Sequence, residues 1–182
     1  MNDSNRRRAA STRSRLAVAD TGLLAALEAG SPGGVRSRAS DRLALAHDAS
    51  HYLLVPQAVV SPVGTEQVAS LLAACAAHGV PLTFRSGGTS LSGQASTDGV
   101  LVDIRRHFRD VEVLDAGARV RVQPGVTVRQ VNARLSPYQR KLGPDPASES
   151  ACTIGGIDAP IVVNSFSGLR FRLGRRGGRP RG

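Results

Sequence analysis

Tryptophan is absent from the 182 residues, methionine occurs once, and aromatic residues make up only 3%. The four Phe and two Tyr are scattered, so a platform of rings for stacking bases is not expected. A core must therefore come from Val, Leu, Ile and Ala. The two cysteines, Cys75 and Cys152, are far apart and lack CxxC spacing. They read as reduced, partly buried thiols of a cytoplasmic protein, not as a disulfide or a zinc site. His47, His51, His78 and His107 show no ligand spacing either, so no metal is expected. No apolar run reaches the ~18 residues of a membrane-spanning helix. Arg6, Arg7 and Arg8 are not followed by the uninterrupted apolar stretch of a secretory signal, and none is expected.

Lysine is nearly missing too: of 24 basic residues only Lys141 is not arginine. Against 14 acidic residues the formal net charge is +10, the footprint of a nucleic-acid or membrane partner. Its distribution weakens that inference. Residues 1–15 carry +4, residues 158–182 carry +5, and the stretch between carries only +1. The Arg-rich ends read as solvated and disordered. Salt-dependent binding of nucleic acid through those ends is the alternative.

The middle has the periodicity of a folded domain. Leu16 to Leu27 reads as a helix stopped by Gly30, and Ser31 to Ser40 as a loop. Ala58, Val59 and Val60 make a short strand. Thr65 can cap a helix whose Val68, Leu71, Leu72 and Cys75 share a buried face, with Gly79 as its stop. Pro81 to Arg85 is the next strand, which completes a β-α-β unit with parallel strands. Val100–Ile104, Val111–Leu114 and Arg119–Gln123 are further strands, the last two joined by a turn at residues 115–118. Thr127 to Leu135 reads as a short helix.

Two loops carry chemistry. Arg85, Ser86, Gly87, Gly88, Thr89, Ser90, Leu91, Ser92, Gly93 and Gln94 follow the β-α-β unit. Glycines let the backbone take positive φ and approach a ligand, and successive N–H groups can form an anion nest. Hydroxyls and Arg85 add what a pyrophosphate needs, although an ordinary Gly/Ser connection would look the same locally. The spacing is neither a P-loop nor a Rossmann turn, and the P-loop lysine is missing. The second loop runs from Gly143 through Pro144, Asp145, Pro146, Ser148, Glu149, Cys152 and Thr153 to Gly155 and Gly156.

In this order and at this distance the two loops resemble the FAD-linked oxidase family with a PCMH-type (p-cresol methylhydroxylase or vanillyl-alcohol oxidase) flavin domain. The branch they are most similar to is the D-lactate dehydrogenase and glycolate oxidase group, which acts on D-2-hydroxy acids. Also similar are Asp48-Ala49-Ser50 with Tyr52, Pro56 to Val60 with Pro62, Val122 to Val126, and Asn132. The resemblance implies an α+β fold: a PCMH-type FAD-binding domain with a small β-α-β subdomain and an incomplete second mixed sheet. It implies that Ser86, Gly87, Gly88, Thr89 and Ser90, beside Arg85, wrap the FAD pyrophosphate, with Gly93 and Gln94 further along. It implies that Pro144, Asp145, Ser148, Thr153, Gly155 and Gly156 approach from the opposite side. Some branches join the flavin to a His after the first Gly-Gly. Thr89 stands there, so non-covalent FAD is implied.

The family's base and substrate clamps lie in a further domain, and no His follows Gly156, so no catalytic residue is assigned here. The pattern fades after Gly156 into a displaced echo at residues 161–168 and an Arg/Gly tail. The expectation is therefore a truncated or frame-shifted oxidase, inactive alone. Residues 1–46 would be a basic disordered tail and lead-in helix, 47–169 the flavin domain, and 170–182 a disordered tail. A 2-hydroxy-acid substrate would require the missing domain. The alternative within the family is a non-catalytic FAD-binding subunit. The expected location is cytoplasmic, with peripheral membrane attachment through an electron-acceptor partner.

Overall fold

A computed structural model describes residues 18–143, 146–157, 169–170 and 174–175. The disorder expected for residues 1–15, the echo at 161–168 and most of the Arg/Gly tail lie outside these residues. The chain divides into two units, Met1–His107 and Phe108–Gly182.

The first unit is built on a four-stranded sheet. Helix α1 (Thr21–Gly30) starts later than its leucines suggest, because Asp20 caps it by accepting from the Leu23 N–H at 2.7 Å. Leu23 and Leu27 are buried against α3 (Thr65–Ala77). Strand β1 (Val35–Arg36) and helix α2 (Ala39–Ala44) occupy what reads in the sequence as loop and lead-in. Strands β2 (Ala58–Val60), β3 (Leu82–Arg85) and β4 (Val100–Asp103) follow, in the sheet order β1-β2-β4-β3. The β-α-β unit is present and its strands run parallel, but they are not neighbours. Strand β4 pairs with both, Val100 opposite Ala58 on one side and Leu82 on the other. Val100, Leu101 and Val102 are fully buried, as befits a short apolar run covered on both faces. On α3 the buried stripe is Val68, Leu71 and Cys75, while Leu72 lies on its edge and stays 44% exposed. Gly64, not Thr65, is the N-cap of α3. Gly79 takes φ +64 and ends that helix, its N–H bonded to the Ala76 carbonyl.

The second unit has its own core. Strands β5 (Val111–Leu114) and β6 (Arg119–Val122) form a hairpin through a tight 3-10 turn at Asp115–Gly117. Strict alternation along β6 puts Val120 and Val122 inside and Arg119 and Arg121 outside. They pack with Val126, Leu142, Ile154 and the apolar face of α4 (Val128–Leu135), namely Val128, Val131 and Leu135. Strand β8 (Leu169–Arg170) adds to β6, and β9 (Gly174–Arg175) pairs with β7 (Arg140–Lys141). These short strands lie where the sequence reads as the edge and interior of a disordered tail. The mixed pairing thus falls in the first sheet, where β1 runs antiparallel to β2. The second sheet is antiparallel in all its described strands, and the short connection at residues 115–118 is too short for anything but a hairpin between β5 and β6.

Candidate functional site

The first loop leaves the carboxyl end of parallel strand β3, where ligands of open α/β sheets bind. Ser86 to Ser90 are half-buried, whereas Leu91, Ser92 and Gln94 face solvent. Gly88 has φ +65 and Gly93 φ +76, both left-handed. The Gly88 carbonyl accepts from the Ala49 N–H at 3.0 Å, and the Gly93 carbonyl from the Ser96 N–H at 3.1 Å. Gly93 lies against the Tyr52 ring, where a Cβ would clash with a ring carbon. Ser90 donates from its hydroxyl to Gln94 Oε1 at 2.5 Å and accepts from the Ser92 N–H, so these side chains hold the loop's own turn. Ser86 is engaged within the fold. The N–H groups of Gly87, Gly88, Thr89 and Ser90 find no acceptor among the described residues. Four successive free donors in a half-buried loop are the equipment of an anion site.

Beneath the loop lies a polar cluster. Asp48 Oδ1 accepts from the Ser50 N–H at 2.8 Å and the Ser50 hydroxyl at 2.5 Å, while its Oδ2 is buried without a partner. Burial alone would raise the Asp48 pKa. The Ser50 hydrogen bonds and the Arg85 charge outweigh it and hold the carboxyl below its ordinary value. The nearby Ser96 hydroxyl helps, yet stops short of hydrogen-bond geometry and is itself unpartnered. Arg85 donates to the Leu45 carbonyl at 2.8 Å and the His47 carbonyl at 2.5 Å. Burial lowers its pKa, against the favourable charges of Asp48 and Asp103.

The second loop is tied to α4. Thr127 caps this helix in a reciprocal box with Gln130. Two other first-turn donors are taken by the loop itself: the Val128 N–H bonds the Cys152 carbonyl and the Arg129 N–H the Glu149 carbonyl, both at 3.1 Å. At the loop's start, Asn132 Oδ1 accepts from the Leu142 N–H at 2.9 Å. Ser148 is exposed, and its carbonyl closes the turn by accepting from the Ala151 and Cys152 N–H groups. Gly155 is needed for packing, since a Cβ there would lie 2.8 Å from the Pro124 side chain. Gly156 is exposed. Thr153 is fully buried, and its hydroxyl has no partner. Pro144 and Asp145 lie outside the described residues.

Arg85 to Gln94 are thus brought together in the first unit, and Ser148 to Gly156 in the second. Three further residues stand beside them. Ser96 is one, and its signal is only its place at the end of the Gly/Ser loop. Pro124 and Thr127 are the others, and the [Thr]-x-x-[Gln] capping spacing makes Thr127 readable in retrospect. In the first unit, free N–H groups in a row, glycines in left-handed conformation and the orphaned Ser96 hydroxyl fit an anionic, hydrogen-bonding group such as the diphosphate of FAD. Among the described residues no three His, Cys, Asp or Glu side chains come together as a metal site.

The fold is the PCMH-type FAD-binding fold. Over 77% of the chain it superposes on alkyldihydroxyacetonephosphate synthase, with a TM-score of 0.66 at 21% identity, covering 31% of that chain. Residues 56–164 match the family described as FAD binding domain, and the chain belongs to that family, with FAD as its cofactor. D-2-hydroxyglutarate dehydrogenase of Pseudomonas putida is 36% identical over 129 residues, which are 69% of this chain and 13% of that protein. Glycolate oxidase subunit GlcD of Escherichia coli K12 is 39% identical over 109 residues, 59% of this chain and 22% of that protein. The chain therefore spans less than a quarter of the length of either relative.

Proposed function

We propose that this chain is the FAD-binding portion of an oxidoreductase acting on D-2-hydroxy acids. The observation that carries the reading is the row of unpaired N–H groups from Gly87 to Ser90 at the end of β3. These groups bind the diphosphate, and Thr89, a poor nucleophile standing where some branches carry a His, leaves the flavin non-covalent. In the second loop, Thr153, Gly155 and Gly156 are assigned to cofactor binding by resemblance; the Gly155 and Gly156 N–H groups already bond the Pro124 and Thr153 carbonyls. Pro144, Asp145 and Ser148 are assigned to the same role by resemblance. When bound, the flavin supplies acceptance of a hydride from the carbon bearing the substrate hydroxyl.

The described residues hold the cofactor and orient it; they do not move the substrate proton. All four His are exposed: His78 and His107 sit in turns, His51 tilts against Tyr52, and His47 turns Nδ1 to the Asp48 carbonyl. The proton acceptor and substrate clamps are assigned to residues outside those described here. On this reading residues 47–169 are the flavin domain, with the Arg-rich segments outside it. The near-neutral stretch between the Arg-rich ends argues against nucleic acid as the partner of this domain. Two free, buried thiols fit a reducing compartment, so the cytoplasm is proposed, with any membrane attachment peripheral. Among the described residues no helix is long and apolar enough to cross a membrane.

The test is FAD titration of the purified chain, followed by flavin fluorescence. Gly87→Glu puts a carboxylate where the diphosphate would lie and should abolish binding while the fold, read by circular dichroism, persists. Equal FAD affinity in that variant would place the cofactor elsewhere.

A further inference from the structure

Arg85 stands where a charged ligand for the diphosphate would be sought, at the end of β3. Its side chain is turned to another task. Nη1 and Nη2 reach the carbonyls of Leu45 and His47, in the segment that follows α2. The guanidinium also lies against Gly88: a Cβ there would be 2.7 Å from Nη2 and 2.9 Å from Nε. Next to His47, Asp48 supplies the largest favourable charge on Arg85, and the Ala49 N–H bonds the Gly88 carbonyl. The segment 45–50 and the start of the loop are therefore closed on each other from two directions, with Arg85 as the brace. The Arg85 carbonyl itself is held by the Ile104 N–H at 3.0 Å, so the brace is rooted in the sheet.

We propose that Arg85 is a positioning residue: it clamps the Leu45 and His47 carbonyls, fills the space under Gly88, and so sets the path of the N–H groups from Gly87 to Ser90, without touching the diphosphate. This rests on the FAD site proposed above. The distinction has a chemical handle. A planar fork spans two carbonyls and packs its flat face under a glycine, whereas lysine keeps the charge but has no fork.

The experiment uses the full chain and the variants Arg85→Lys and Arg85→Met. Hydrogen exchange of residues 45–50 and 86–96 is read without FAD, and FAD affinity is read across a sodium chloride series. Positioning predicts that both variants lose protection in these two segments. It also predicts that both lose FAD affinity by a similar factor, about tenfold or more. The salt dependence of the residual binding should match that of the unmodified chain. A lysine variant with unchanged affinity, or a shallower salt slope in the methionine variant, would show a charge contact with the ligand and overturn the proposal. Unchanged exchange in both variants would overturn it as well. If the unmodified chain does not bind FAD, the site reading fails, while the exchange data still decide the role of Arg85. Gly88→Ala gives an independent measure should the Arg85 variants not fold. Its methyl would lie 2.7 Å from Nη2 and 2.9 Å from Nε, so the guanidinium must shift, and protection should be lost at residues 45–50. Full protection there would contradict the clamp.

Discussion

Thr153→Val should move stability and binding in opposite directions. Thr153 is 0% exposed and its hydroxyl is buried with no partner. A buried hydroxyl left unsatisfied costs about 1–3 kcal/mol. Valine has the same branched outline and the same stiffness about χ1, so it opens no cavity and forces no clash. It also leaves the backbone ties of this residue intact, because they run through the Thr153 carbonyl to the Gly156 and Ile157 N–H groups. The second unit without FAD should therefore gain at least about 1 kcal/mol, which for a unit of this size raises the melting temperature by roughly 4–8 °C. Bound FAD loses one neutral hydrogen bond, net about 0.5–1.5 kcal/mol, so its affinity should fall by roughly three- to tenfold. Thermal melts with and without saturating FAD, beside a fluorescence titration, read both quantities. A lower melting temperature without FAD would mean that the hydroxyl already has a partner in the fold. Unchanged FAD affinity would mean that it does not face the cofactor.

Two further outcomes are expected. The hairpin turn holds Asp115 and Ala116 at φ +50 and +49, a region that costs an L-residue with a Cβ about 1–2 kcal/mol. Ala116→Gly should relieve part of this, net of glycine's larger unfolded entropy, and stabilise the second unit by about 0.5–1 kcal/mol in urea denaturation; a lower midpoint would refute the strain. Asp48 titrates lower in the folded chain than in the unfolded one, so its stabilisation is complete above the unfolded value of about 3.9. It disappears as pH falls through the lower folded value, and Asp48→Asn should flatten the decline of stability at acid pH. An asparagine variant with the same acid profile would show that another group governs it.

What could be read from the sequence is what local chemistry dictates. The apolar run of Ala58–Val60, the stripe of Val68, Leu71 and Cys75, the alternation of Arg119 to Val122 and the Thr127 start of α4 all depend on neighbours within a turn or two. The Gly87-Gly88 segment reads as a candidate anion loop for the same reason. What depends on distant partners was not. Arg85 looks like a ligand because its charge is visible, while its two acceptors are carbonyls some 40 positions away. Helix α2 was unreadable because six residues, ASDRLA, are too short to show a period. Leu72 fits the buried pattern of α3 by spacing, but the width of the covered face is set by what packs on it. The pairing of Leu169–Arg170 with β6 reflects backbone partners that a Gly/Arg-rich composition does not announce.

The place of β4 between β2 and β3 has a consequence for how the chain assembles. Parallel neighbours are usually joined by a helix, yet β3 and β4 are joined by residues 86–99, which contain none. The proposed cofactor loop is thus also the tether that must close before the edge strand β3 can dock on the centre of the sheet. During synthesis β2, α3 and β3 emerge with the middle of their sheet still absent, and the final strand slots between them. A ligand that orders residues 86–96 shortens that last search and resists its reversal. Free FAD should accordingly speed the appearance of the folded first unit and not only slow its loss, so cofactor supply acts on the yield of the protein as well as on its occupancy.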